Sequence, residues 1–144
     1  VLRSAFYMTN LLGMLDGGRL IAPASDGRVG MIDPADVGAV AAAVLSAGDH
    51  AGRTYRLTGP AAIGFAEAAR ALDAEYLDVP PAAAREWLTA AGMPPWLIEH
   101  LDGAFARIRA GEFTTVTDTV RVLAGREPRT IEDFAQRVRD PVGS

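Results

Sequence analysis

Strand-forming sequence is scarce in this chain and confined to the residues before Pro81. Extended patterns bounded by turn signals occur at residues 19–22, closed by Pro23, and at 29–32, after Asp26-Gly27. They recur at 53–57, running into Thr58-Gly59-Pro60, and at 75–79, before Pro80-Pro81. A parallel sheet needs neighbouring strands to satisfy its backbone groups and cover on both faces. These few short segments make a poor sheet by themselves. Two readings follow: a small α+β domain, or an α/β fold whose remaining strands lie outside these 144 residues.

Helical patterns fill the rest. Met8, Leu11, Leu12 and Leu15 recur at helical spacing before Asp16-Gly17-Gly18. The clearest helix opens at Asp33, an N-cap residue, with Pro34 at the first helical position and Asp36 near the positive end of the dipole. Val37, Val40, Ala41, Val44 and Leu45 then form one apolar face, and Gly48 supplies the stop. Phe65, Ala68, Ala69 and Leu72 mark a short helix.

After Pro81 the pattern is helical throughout. Residues 82–91 form a helix ended by Gly92, and Pro94-Pro95 opens another with Leu97, Leu101, Phe105 and Ile108 inward. Val116, Val120 and Leu123 make a further face. Thr130 and Asp133 resemble a capping box before a last helix with Ile131, Phe134, Ala135 and Val138 inward. Residues 141–144 are expected to fray as a tail. The organisation expected is an α/β portion over 1–80 and a mainly helical cap over 81–140. The apolar stretch 1–15 opens without a cap or polar lead-in, as in a chain that begins partway through a domain.

Composition excludes several chemistries. Without cysteine there is no disulfide, thiolate zinc site or thiol nucleophile. All 14 basic residues are arginine, so there is no Schiff base, Walker-A lysine or Tyr-x-x-x-Lys pair. A net charge of −4 and scattered arginines argue against nucleic acid, which demands a clustered positive surface. Arg121, Arg126, Arg129, Arg137 and Arg139, interleaved with Glu127, Glu132, Asp133 and Asp140, read as a solvated, salt-bridged surface. No apolar run approaches the ~20 residues that span a bilayer, and no leader pattern opens the chain. The expectation is a cytoplasmic protein with neither nucleic acid nor membrane as partner.

No Gly-x-Gly-x-x-Gly or Gly-x-Ser-x-Gly occurs, and Gly17-Gly18 and Gly27/Gly30 sit in turns rather than between a buried strand and a helix. His50 reads as a surface loop residue and His100 as the flank of a helix. Neither has a ligand-spaced partner, so no metal site is expected. The helix dipole accounts for Glu132-Asp133 and for Asp33 and Asp36. Tyr7 and Asn10 stand apart. A polar amide within Phe6-Tyr7-Met8-Thr9-Asn10-Leu11-Leu12 would face apolar surroundings and need a hydrogen-bond partner, so it either caps a loop or lines a cleft.

Several stretches, in order, carry a family pattern. Residues 3–12, Arg-Ser-Ala-Phe-Tyr-Met-Thr-Asn-Leu-Leu, resemble the Arg-x-x-Phe-Phe-Met-Glu-Asn-Leu segment of the NmrA-like family, atypical short-chain dehydrogenase/reductases. Residues 23–37 resemble its Pro-x-Gly-Asp-Gly … Ile-Asp-x-x-Asp-Ile stretch, and Tyr55-Arg56-Leu57-Thr58-Gly59-Pro60 its Tyr-x-Leu-Thr-Gly-Pro. Residues 91–97 and 125–134 are similar to cap-region signatures of bacterial members.

The resemblance implies the C-terminal part of a Rossmann-like NAD(P)-binding α/β fold, its glycine-rich phosphate loop preceding Val1. It implies an NAD(P)H-dependent quinone- or azo-reductase-like activity on a small-molecule substrate. The alternative is a non-catalytic NAD(P)-sensing or interaction module, or a degenerate remnant. Carried over by position, Phe6, Tyr7 and Asn10 would border the cofactor, and Thr58, Gly59 and Pro60 the substrate. Thr9 replaces the family's glutamate, and no catalytic residue is assigned. Atypical members generally dispense with the Tyr-x-x-x-Lys pair, and in such sites hydride transfer belongs to the cofactor while the protein supplies positioning. A chain folding alone with so few strands would be expected to cover their edges with a second copy.

Overall fold

The computed structural model describes residues 1–140; the tail expected at 141–144 lies outside the described residues. Seven short strands run in chain order: β1 (Leu2–Ser4), β2 (Leu15–Asp16), β3 (Arg19–Ala22), β4 (Arg28–Val29), β5 (Tyr55–Leu57), β6 (Ile63–Gly64) and β7 (Glu75–Asp78). They pair in three small groups. β1 runs parallel to β5; β3 pairs antiparallel with β2 and parallel with β7; β4 pairs antiparallel with β6. Gly17 and Gly18, both at positive φ, make the two-residue loop between β2 and β3, a turn that few side chains tolerate. The scarcity of strand in the sequence is thus real, and β1 hydrogen-bonds to one neighbour only among the described residues.

The helices are α1 (Pro34–Ala47), α2 (Phe65–Ala71), α3 (Pro81–Ala90), α4 (Pro95–Arg109), α5 (Thr119–Ala124) and α6 (Ile131–Arg139). Two apolar cores result. The larger gathers Met8, Leu20, Phe65, Phe105 and Phe134 around α2, bringing α4 and α6 against the β3 region. The smaller packs Ile32, Val40, Leu57 and Val120 between the β1/β5 pair, α1 and α5.

Several expectations change in detail. Residues Met8–Met14 form a 3-10 helix rather than an α-helix. Its three-residue period buries Met8 and Leu11 together, while Leu12 is exposed and Leu15 opens β2. The strand expected at 29–32 stops at Val29; Ile32 instead makes a single bridge to Tyr7. The apolar face of α1 ends early, because the core it covers is small: Leu45 is 84% exposed. Val116 lies ahead of α5 and, like Val138, is exposed, while Ile98, which was not expected inward, is buried in α4. No residue of α3 is buried.

Residues 121–139 also differ from the solvated surface expected. Asp33 caps α1 by accepting from the Ala35 N–H at 2.9 Å, and it also meets Arg137 at 2.8 Å. Asp36, fully buried, accepts from the backbone N–H of Arg129 at 2.7 Å and pairs with the guanidinium groups of Arg126 (2.7 Å) and Arg129 (3.1 Å). Burial alone would raise the Asp33 carboxyl, but hydrogen bonds from Arg137 and Ala35 and the nearby positive charges hold it below the usual carboxylate value. The two aspartates therefore clamp α6 and the segment before it onto the start of α1. The capping box at Thr130 and Asp133 forms as expected, with both reciprocal bonds present.

Candidate functional site

A cleft of about 320 Å³ opens where β1 and β5 end. One wall comes from the β1 exit (Arg3 to Phe6) and from Arg56 and Thr58 of the β5 exit. The opposite wall is the last turns of α4, with Ala104, Arg107 and Ile108, and the loop through Phe113 and Thr115. Val29 of β4 also lines it. Clefts at the carboxyl ends of parallel strands are where open α/β sheets bind ligands, because the loops that follow can diverge there.

The segment Phe6 to Asn10, expected to border the cofactor, is split by its own geometry. Phe6 lines the cleft and packs edge-on against Phe65, with ring centroids 5.8 Å apart. Tyr7 turns the other way, into the smaller core, where its hydroxyl accepts from Ser4 Oγ at 2.8 Å. Asn10 does not face the apolar surroundings expected of it: the 3-10 helix carries it to the exposed side. The geometry therefore brings Phe6 to the cleft and leaves Tyr7 and Asn10 outside its lining.

Thr58 also lines the cleft, but its hydroxyl is committed. It accepts from the Thr117 N–H at 3.0 Å and donates to the Gly59 carbonyl at 2.9 Å. Gly59 sits behind the cleft, so close to Met31 that a Cβ would lie 2.0 Å from the Met31 carbonyl oxygen. Glycine is required there by backbone packing. Pro60 is exposed beyond it.

Charge in the cleft is uneven. Arg3, Arg56 and Arg107 line it with one carboxylate, Glu112, and that carboxylate accepts from Arg107 Nε at 2.6 Å. The Arg107 guanidinium lies 4.8 Å from the centre of the Phe113 ring. Cleft chemistry therefore combines apolar surface with positive charge and offers no unpaired acid or imidazole among the described residues. The arginines were missed in the sequence; the signal available was a central arginine in both Leu2-Arg3-Ser4 and Tyr55-Arg56-Leu57.

Two polar clusters lie away from this cleft. His50 is not the surface residue expected, since its Nδ1 lies 2.6 Å from the Tyr55 hydroxyl and its Nε2 3.3 Å from Asp49. Burial, and then the bond to Asp78, raise the Tyr76 hydroxyl well above its ordinary value, so it remains a proton donor. His100 is exposed on α4. No group of three potential metal ligands comes together among the described residues.

Known proteins similar to this chain include several oxidoreductases. The chain is 33% identical over 141 residues to an NAD(P)H azoreductase of Xenophilus azovorans, covering 91% of this chain and 49% of the relative. It is 36% identical over 145 residues to (4-alkanoyl-5-oxo-2,5-dihydrofuran-3-yl)methyl phosphate reductase of Streptomyces griseus, covering 92% of this chain and 50% of that one. Its backbone matches an NADPH-dependent quinone oxidoreductase of Escherichia coli, solved with NADPH, at a TM-score of 0.82 and 25% identity, over 95% of this chain and 52% of the other. No protein-family profile matches.

The fold is Rossmann-like α/β, and the likeness runs to NAD(P)-dependent oxidoreductases. The chain spans about half the length of the relatives it matches. No helix among the described residues is long and apolar enough to cross a membrane.

Proposed function

We propose that this chain is the substrate-side, C-terminal half of an NmrA-like NAD(P)H-dependent oxidoreductase of the quinone- and azo-reductase kind. The observation that carries the reading is the cleft at the carboxyl ends of parallel β1 and β5, in a chain that matches about half of several reductases along nearly its whole length. In this reading residues 1–80 complete the Rossmann-like domain and 81–140 form the cap that closes over substrate.

The residues present fit one end of a nicotinamide dinucleotide. Phe6, held by Phe65, offers a flat apolar wall of the kind a nicotinamide ring needs, with Tyr7 and Asn10 on the segment that continues from it. The diphosphate end has no cradle among the described residues: the positive-φ glycines serve a hairpin loop, helix ends and turns. When bound, the cofactor supplies the hydride. This chain's own residues orient the acceptor: Ile108 and Phe113 confine it opposite Phe6, and Thr58 fixes the loop at 115–117 by its hydrogen bond to Thr117.

The test uses the protein encoded by the whole reading frame that contains this chain. With NADPH and a simple benzoquinone, nicotinamide absorbance should fall only when both are present. Replacing Phe6 by Ala should lower kcat/KM by about tenfold or more through lost positioning. Saturable NADPH binding without consumption would instead establish the non-catalytic NAD(P)-sensing module, and no binding at all would establish a remnant.

A further inference from the structure

Arg3 and Arg56 are register partners on adjacent parallel strands, so their side chains leave the same face side by side. Both line the cleft, and neither has an ion pair or a side-chain hydrogen bond among the described residues. Like charges directly opposite on neighbouring strands destabilise a sheet. A shortage of acids does not account for the arrangement, because the chain carries 18 Asp and Glu against 14 arginines. The one carboxylate in the cleft lining, Glu112, is already taken by Arg107.

An oxyanion held between the two guanidinium groups would offset the repulsion. Guanidinium groups bind carboxylate and phosphate oxygens through paired N–H bonds, and two of them can share one tetrahedral or planar anion. The surface next to the pair is apolar, from Phe6, Val29 and Ile108. We propose that Arg3 and Arg56 form an oxyanion-binding pair that selects a substrate carrying a carboxylate, sulfonate or phosphate beside a flat apolar body. The word substrate rests on the function proposed above; the anion site itself does not.

Binding is measured by calorimetry on the whole-frame protein with phenyl phosphate, benzoate, benzyl alcohol and inorganic phosphate, without cofactor. Phenyl phosphate and benzoate should each bind about tenfold or more tightly than benzyl alcohol, and inorganic phosphate should bind more weakly than phenyl phosphate. The tighter of the first two identifies the anion. Arg3→Gln and Arg56→Gln should each weaken phenyl phosphate binding by about tenfold. Arg53→Gln, exposed and outside the cleft lining, should not. Glu112→Gln, which frees Arg107, should tighten it. Thermal melts of each variant separate lost binding from lost folding.

Equal binding of phenyl phosphate and benzyl alcohol would overturn the proposal, as would an Arg53→Gln effect matching that of Arg56→Gln. A second arm uses the whole-frame protein with a naphthoquinone and its sulfonate. Preference for the sulfonate that Arg56→Gln abolishes supports the proposal, and equal turnover of the two overturns it. Anion binding without any NADPH consumption would fell the reductase reading and leave the site standing.

Discussion

Two groups of arginines in this molecule meet opposite fates. Arg126, Arg129 and Arg137 converge on two buried carboxylates, Asp33 and Asp36, at the start of α1. Arg3 and Arg56 lie side by side at the cleft with no carboxylate between them. In the first group every charge has a partner inside the chain, and the result is mechanical: it fastens the helical region to the α/β region. In the second no such partner lies among the described residues, which is the basis of the anion site proposed above. Matched charge holds a fold together, whereas unmatched charge next to an apolar wall is available for recognition.

The largest effect should come from breaking the clamp. Asp36→Ala leaves two guanidinium groups and a backbone N–H without their acceptor, at a cost of about 3 kcal/mol; the half-exposed arginines keep this at the low end for a buried pair. Thermal unfolding should show a Tm lower by roughly 10 °C, and a loss under 1 kcal/mol would mean the clamp contributes little.

Next comes its pH dependence. Because the folded Asp33 carboxyl is held below its unfolded value of 3.8, its stabilisation is present above that pH and is lost as pH falls through the lower, folded value. Asp33→Asn keeps the cap but not the charge. It should cost about 1–2 kcal/mol near neutral pH, and the difference from the parent should shrink in acid. Melts across the acid range check both.

The cleft should respond with the opposite sign. Arg56→Glu turns a like-charged pair into an opposite one and should raise stability by about 0.5 kcal/mol while abolishing binding of phenyl phosphate. Denaturant titration and calorimetry read the two effects separately. The smallest change belongs to Arg121→Ala, which removes an exposed pair with Asp118 and should shift stability by no more than about 0.5 kcal/mol. If it matched Asp36→Ala, the distinction between clamp and surface would fail.

Local chemistry made part of this legible in the sequence. Asp33-Pro34 and Gly48 mark both ends of α1, and Thr130 with Asp133 opens α6, because caps act within a turn of their own position. β1 was not legible: three residues are too few for a period, and the apolar run around them reads as helix. The clamp was invisible for a different reason. Asp36 and Arg129 are 93 residues apart, and a tertiary ion pair leaves no periodic trace. At the cleft, the family resemblance had singled out two lining residues, Phe6 and Thr58. Arg3 and Arg56 were not, since their meaning depends on a strand register that only the fold supplies.

In the function proposed, cofactor and acceptor meet where β1 and β5 end. Backbone amide NMR on the whole-frame protein, titrated with NADPH, tests this most directly. Saturable shifts should concentrate at Phe6 and at Thr58 and Gly59, with the clamp residues around Arg129 unmoved. Saturable NADPH binding that leaves Phe6 and Thr58 silent would contradict it.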